Sequence, residues 1–318
     1  MKIEAKIVAD SLSPANHRLT TFVVTFPRII LAELNTHRVL SRNSASSRAI
    51  PFERMIEAVE NNPFIPIRWM KDHKGMQGTE YVEDQKEIDL LVLEWLGARD
   101  EAVDCAVKLS ELGVTKQICN RLLEPFMWHT AIITASEFEN FFALRNHEAA
   151  EIHIAELARV MMEEYNNSTP KSLKEGEYHI PFGDGIDMDK LLREVPYSNT
   201  DIIEHINNLR IKISVSRCAR ISYTIVGEEG KSDNYLNDIK LHDRLLMSGH
   251  FSPFEHTCRC MRSDELIAYS HTKPKNGLIV EDRGWCGNIK GFIPYRKMLD
   301  GENKKDSRVI KKEWKLEN

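Results

Sequence analysis

Residues His37-Arg38-Val39-Leu40-Ser41-Arg42-Asn43-Ser44-Ala45-Ser46-Ser47-Arg48 place three arginines and four serines in twelve positions. Small hydroxyl residues let a backbone approach a ligand closely. Their N–H groups, hydroxyls and the guanidinium forks together form an anion cradle. A solvated basic loop is the competing reading, because most charged patches are only surface. Outward from this stretch the pattern is regular. Residues 2–9 and 19–26 alternate apolar side chains and predict strands, with β-branched residues concentrated from Thr20 to Thr25. Pro27 suits the first turn of a helix, and Ile29, Ile30 and Leu34 supply its apolar face. That helix delivers His37 and Arg38 to its C-terminal end.

Downstream, Pro51 opens a short helix to about Asn61, and Pro63 to Gly78 reads as loop. Residues 84–112 predict a long helix ending at Gly113, and Ile118 to Leu123 a shorter one that stops before Pro125. From Ser136 to about Tyr165 the pattern predicts one continuous helix, with Ser136 and Glu139 as a capping box. Phe138, Phe141 or Phe142, Ala149, Ile152 and Leu157 follow one face, and Arg145 lies inside that apolar stripe. An arginine there needs a partner, because an unpaired buried charge is expensive. Residues 166–200 read as an irregular connection, followed by a helix-like stretch and then a strand over Ile211 to Ser216. A loop at 226–234, a helix from Asn237 to Met247 ended by Gly249, and a charged, frayed tail from Asp300 complete the reading.

The chain has 318 residues, 42% hydrophobic and 29% charged, with a net charge of −5. This is the composition of a globular protein with a sizeable core, and it gives no global electrostatic case for nucleic-acid binding. No apolar run reaches membrane-spanning length, and the N-terminus lacks the apolar core of a signal peptide. Six cysteines without a secretory signal read as reduced thiols, so a cytoplasmic location is expected. His256, Cys258 and Cys260, with Cys286 downstream, offer a zinc alternative, but C-x-C is not the usual C-x2-C spacing, and no metal is expected. Gly284, Gly287 and Gly291 lack the strand–helix context of a dinucleotide fingerprint, and Trp285 is read as a packing residue.

The spacing His37-Arg38, then seven residues, then Ser46 resembles the R-H-R-x7-S signature of flavin-dependent thymidylate synthases. Asn43 and Arg48 also fit its longer form. Asn140-Phe141-Phe142-Ala143-Leu144-Arg145 resembles that family's N-F-x-x-L-R helix. Arg121-Leu122-Leu123-Glu124-Pro125 resembles R-x-x-L-P, with Glu124 where leucine is usual. Cys218 to Tyr223 is similar to the family's A-R-V-S-F/Y strand end, and Gly249 to His256 to its G-H-x-S/T-P-F-E-H motif. The two C-terminal motifs come first in the family and last here, so the chain resembles a circular permutation, which nearby surface termini permit. Thr36 stands in place of the first arginine, Ser44 of a glutamate, Ala49 of an aromatic residue and Ala149 of a flavin-contacting histidine. Arg296 or Lys297 is a candidate for the lost charge.

The resemblance implies an α/β (α+β) fold of long helices around a small mixed sheet, as a single domain over residues 1–318. It implies reductive methylation of dUMP, with FAD as cofactor and NADPH and methylenetetrahydrofolate as co-substrates. Ser46, Ser47, Arg48 and Arg121 would bind the nucleotide. Arg145 would donate to the uracil carbonyl edge and, with Ser46, serve catalysis. His37, Arg38, Asn43, Asn140, Ser222, Ser252 and Glu255 would line the flavin; His250 and His256 read as core or capping residues. A homotetramer is implied as well. Two alternatives remain: a methyl- or hydroxymethyl-transferring relative acting on another pyrimidine nucleotide such as dCMP, and a non-catalytic nucleotide- or nucleic-acid-binding module.

Overall fold

The computed structural model describes residues 1–75, 78, 80–195, 202–223, 234–268 and 284–300. The expected loop at 226–234, except for Asn234, and the charged tail beyond Asp300 lie outside them. The strands are β1 (Glu4–Leu12), β2 (Arg18–Pro27), β3 (Ser41–Ser44), β4 (Trp128–Ala135), β5 (Lys171–Ser172), β6 (Tyr178–His179), β7 (Cys258–Cys260), β8 (Trp285–Cys286), β9 (Ile289–Lys290) and β10 (Phe292–Pro294). The helices are α1 (Leu31–Leu34), α2 (Phe52–Asn61), α3 (Gln85–Glu111), α4 (Lys116–Leu122), α5 (Glu139–Arg145), α6 (Ile152–Asn167), α7 (Met188–Glu194), α8 (Ile202–Arg220), α9 (Tyr235–Ser248) and α10 (Ser263–Ala268). Five strands form a mixed sheet in the order β3-β4-β2-β1-β5, antiparallel except where β5 joins β1. A smaller antiparallel sheet runs β10-β7-β6.

Both faces of the large sheet are covered, which explains why β2 and β4 carry nearly unbroken buried runs. Phe22, Val24 and Phe26 of β2, with Ala131, Ile133 and Ala135 of β4, face α5 and α6. Phe138, Phe141, Ile154, Leu157, Ala158 and Met161 close that layer. Val23 and Ile132 point the other way, against Cys218 and Ile221 at the end of α8. This alternation is the two-residue period of a pleated strand. Between Ile7 and Ala9 the β1 register shifts, and the carbonyl of the displaced Val8 accepts from Phe182 N–H at 3.0 Å.

Several sequence expectations hold. α2 follows Pro51, α3 ends before Gly113 in a left-handed conformation (φ 82°), and α9 ends at Gly249 (φ 73°). The cap of α3 is Asp84, whose carboxylate accepts from Glu87 N–H at 3.0 Å. Asp84→Ala is expected to cost about 1 kcal/mol, seen as a drop of about 2 °C in the melting temperature; an unchanged transition would show that this cap contributes nothing.

Three expectations are corrected. Residues 211–216 are helix, in the middle of α8, not strand. Their alternating Ile211, Ile213 and Val215 mimic a strand, but Leu209 and every position from Ile211 to Ala219 except Lys212 are buried, so there is no solvent-facing side to mark a helical period. The helix foreseen over 136–165 is two helices, broken between Arg145 and Ile152. Glu151 caps the second, accepting from His153 and Ile154 N–H at 2.9 and 3.2 Å. Ser136 does not cap; its hydroxyl accepts from Lys290 N–H at 2.9 Å. Finally, the middle third of the Ser/Arg stretch is strand β3, not loop.

α8 and α9 are pinned by a buried carboxylate. Asp238, with no exposed surface, accepts two bonds from Arg220 at 2.8 and 3.0 Å and pairs with Arg217 at 3.8 Å. This fixes the end of α8, from which the next two residues lead to Ser222.

Candidate functional site

β3 is an edge strand, and its register sets the direction of each side chain. Ser41 lies opposite Thr134 and Asn43 opposite Ile132, so both face α8. Asn43 donates to the Cys218 carbonyl at 2.9 Å and accepts from the Ser222 hydroxyl at 3.3 Å. Ser46 N–H donates to the Ser222 carbonyl at 2.9 Å. Ser41 donates to Glu255 at 3.4 Å, and Arg296 stands 3.7 Å from the other oxygen of that carboxylate. Stretches separated by more than 170 residues in sequence therefore meet at one strand.

Glu255 ends the 3-10 turn Ser252–Glu255, where Pro253 and Phe254 are buried and Ser252 is exposed. The proline near the start of the turn fixes φ and lacks the N–H that would be unpaired there. Phe254 packs on Phe251 with ring centres 5.8 Å apart.

On the other side of β3, Arg42 donates to the carbonyls of His37 (2.7 Å) and Leu34 (3.2 Å), closing the turn after α1. His37 is buried against Phe141 and accepts on Nε2 from Arg145 Nε at 2.9 Å. That bond requires a lone pair on Nε2, so the neutral imidazole carries its proton on Nδ1. Burial, then the charges of Arg145 and Arg42, hold its pKa below the usual value. Arg145 also pairs with Glu33 at 3.5 Å. These are the partners its place in an apolar stripe demands. Asn140, near the start of α5, is exposed.

The second half of the stretch is held from α4. Asn120, fully buried, donates to the carbonyls of Ser47 (2.8 Å) and Ile50 (3.1 Å). The Ser47 hydroxyl donates to Glu124 at 2.6 Å, and Arg28 stands 3.3 Å from the same oxygen. Glu124, which departs from the family pattern, thus has a local task in tethering this turn. Ser46 Oγ accepts from Arg48 N–H at 3.3 Å. The Arg48 guanidinium is exposed, as are Arg121 and Arg38. Among the described residues these three guanidinium groups have no side-chain partner, which leaves them available to an anion. A cleft of about 320 Å³ opens behind the turn, lined by Ala45, Ile50, Met55, Met127, Trp128 and Thr130 among others.

The structure thus gathers Ser41, Asn43, Ser46, Ser222 and Glu255 at β3, and joins His37 to Arg145. Among the described residues, no side-chain hydrogen bond joins Ser252 or Asn140 to either group. Sequence reasoning missed Ser41, Glu33, Asn120 and Glu124. A buried asparagine beside a hydroxyl-rich turn was the available signal for Asn120, since buried amides are rarely unpaired.

The six cysteines are unpaired, five of them buried. Burial raises the thiol pKa of Cys218, Cys258, Cys260 and Cys286, which opposes nucleophilic use. Among the described residues no group of three His, Cys, Asp or Glu side chains forms a metal site, and no helix is long and apolar enough to cross a membrane.

With this geometry in view, comparison with known proteins is decisive for one point. A sequence profile of the thymidylate synthase complementing protein family matches residues 3–171. The chain belongs to that family. The matched span includes the Ser/Arg stretch, α4 and α5, and the fold is the mixed α/β arrangement expected. No curated protein sequence matches. Among solved structures, the chain is similar to the UMP/dUMP methylase PolB from Streptomyces cacaoi. The complex with 5-Br dUMP is 15% identical, with a TM-score of 0.42, over 52% of this chain and 90% of that one. The complex with 5-Br UMP is 17% identical, with a TM-score of 0.44, over 52% of this chain and 88% of that one.

Proposed function

We propose that the protein is a flavin-dependent thymidylate synthase that converts dUMP to dTMP, using methylenetetrahydrofolate as one-carbon donor and NADPH as reductant. The observation that carries this reading is the closure of the C-terminal motifs on β3 inside a chain of this family. Ser46 and Asn43 are bonded to Ser222, and Ser41 to Glu255. In the permuted order these contacts support a site assembled from the two ends of the sequence.

The residues fit the ligands chemically. The exposed guanidinium groups of Arg48 and Arg121 flank the turn held by Asn120, and they suit a nucleotide phosphate. Ser46 supplies a further polar group there. Ser47 contributes through its backbone, its hydroxyl being spent on Glu124. Arg145 donates to the pyrimidine carbonyls and stabilises negative charge that develops on the ring. His37, Arg38, Asn43, Asn140, Ser222, Ser252 and Glu255 line the FAD. Bound flavin would supply the redox chemistry, which the side chains lack. The chain's own part is to hold the reacting groups in register. The protein acts as a homotetramer in the cytoplasm, in keeping with the family.

The test is the visible spectrum of the purified protein with FAD, with and without dUMP. Flavin bands that shift on adding dUMP are the expected result. A protein that cannot be loaded with FAD refutes the reading. Product mass after separate incubation with dUMP and dCMP distinguishes a methylated uracil from the cytosine or hydroxymethyl alternatives.

A further inference from the structure

The α8-facing side of the large sheet carries a continuous row of buried polar groups. Ser11 Oγ lies 2.8 Å from His179 Nδ1, and His179 Nε2 lies 2.8 Å from Thr21 Oγ1. Thr21 Oγ1 is 2.7 Å from Thr134 Oγ1, which is 2.9 Å from His256 Nδ1. Register explains the alignment. Thr21 pairs with Thr134, and Thr134 pairs with Ser41, so three hydroxyls stand side by side on adjacent strands. His179 and His256 have no exposed surface.

Consecutive residues are thereby gripped by neighbouring strands: Glu255 by Ser41 of β3 and His256 by Thr134 of β4. We propose that His256 is a positioning residue for Glu255, held by this row so that the Glu255 carboxylate stays on Ser41. The proposal rests on the reading of Glu255 as a flavin-lining group.

The row also has a direction. Each neutral imidazole carries one proton and no hydroxyl can donate twice, so with the Thr21 and Thr134 protons spent inside the row all links point the same way. His256 Nε2 is buried and, among the described residues, has no hydrogen-bond partner. In native proteins an unpaired acceptor is a commoner compromise than an unpaired N–H. His256 therefore carries its proton on Nδ1 and donates to Thr134. Thr134 donates to Thr21, Thr21 to His179 Nε2, and His179 Nδ1–H to Ser11. Burial holds both imidazoles neutral, with pKa values lowered to about 3.

Two measurements test this. Nitrogen-15 NMR of the histidines, without flavin, is expected to show the Nδ1–H form at both His179 and His256. An Nε2–H form at His256 overturns the inferred direction. Thr134→Val removes the link and is expected to weaken FAD binding about fivefold, the size of one neutral hydrogen bond. Thr134→Ser should restore it. In a Glu255→Gln background Thr134→Val should have no further effect on FAD affinity; equal weakening in both backgrounds would show that His256 does not act through Glu255. Should wild type take up no FAD, the function fails, and a crystal structure of Thr134→Val still judges the positioning. Glu255 displaced from Ser41 supports it, and an unmoved Glu255 overturns it.

Discussion

Replacing Arg145 with alanine is expected to leave a protein that still takes up FAD but no longer responds to dUMP, with nucleotide affinity down at least about a hundredfold. The prediction follows from position and chemistry together. Arg145 ends α5, and its guanidinium is already oriented by His37 at 2.9 Å and Glu33 at 3.5 Å. A fork held in this way loses little freedom on meeting a planar carbonyl edge. Truncation removes charge-assisted bonds at roughly 1.5–3 kcal/mol each. The fold should survive, because Glu33 is partly exposed and His37 keeps its packing on Phe141. Arg145→Lys separates charge from geometry: it retains the charge but not the fork, so affinity should stay near the alanine level. Calorimetric dUMP affinity within threefold of wild type in Arg145→Ala would remove this residue from the nucleotide site.

How far the site could be read from sequence depends on what each residue touches. Of the arginines in the Ser/Arg stretch, Arg38 and Arg48 are exposed as a basic loop predicts, whereas Arg42 turns onto backbone carbonyls, which the sequence did not show. Arg145 was visible because a charge in an apolar helical stripe is anomalous. The contacts that bring the ends of the chain together were not visible. Asn43 to Cys218 and Ser41 to Glu255 are set by strand register, and a register appears only after β4 is placed between β2 and β3. β4 itself, Trp-His-Thr-Ala-Ile-Ile-Thr-Ala from Trp128, is buried on both faces and has no alternation to announce it.

The helices show the same division. The ends of α3 and α9 were legible from their terminal glycines, which act within one turn. The second half of α8 was misread because nearly every residue from Ile211 to Ala219 is buried, and burial on all sides erases the helical period. The break between α5 and α6 depends on Glu151 turning back to cap its own helix. Glutamate is uncommon in that place, and residues 136–165 offer no proline or glycine to mark the interruption.

The protein is expected to unfold steeply in mild acid; burial also lowers the pKa values of His17, His37 and His242, but the three histidines shifted furthest set the main slope. Burial is the main cause that holds His129, His179 and His256 each at about 3, against an ordinary value of 6.5. The nearby charge of Arg28 adds to it for His129 and that of His179 for His256, while Asp10 opposes it for His179. Between pH 3 and 6.5 the unfolded chain therefore binds protons that the folded chain refuses. Stability is complete above pH 6.5 and falls as pH falls. Three imidazoles, each contributing about 1.4 kcal/mol per pH unit, make a slope of about 4 kcal/mol per pH unit. A native stability of roughly 5–10 kcal/mol is exhausted near pH 4–5 on that slope. The carboxylates with lowered values, Glu156, Asp243 and Glu265, lose their contribution only as pH falls further, through their own lower range. Urea unfolding at a series of pH values measures the slope directly. His129→Phe, which keeps an aromatic ring against Phe26, should reduce it by about a third. Stability that stays flat between pH 6.5 and 5 would mean that these imidazoles are protonated inside the fold, and the row from Ser11 to His256 could not then carry a single neutral direction.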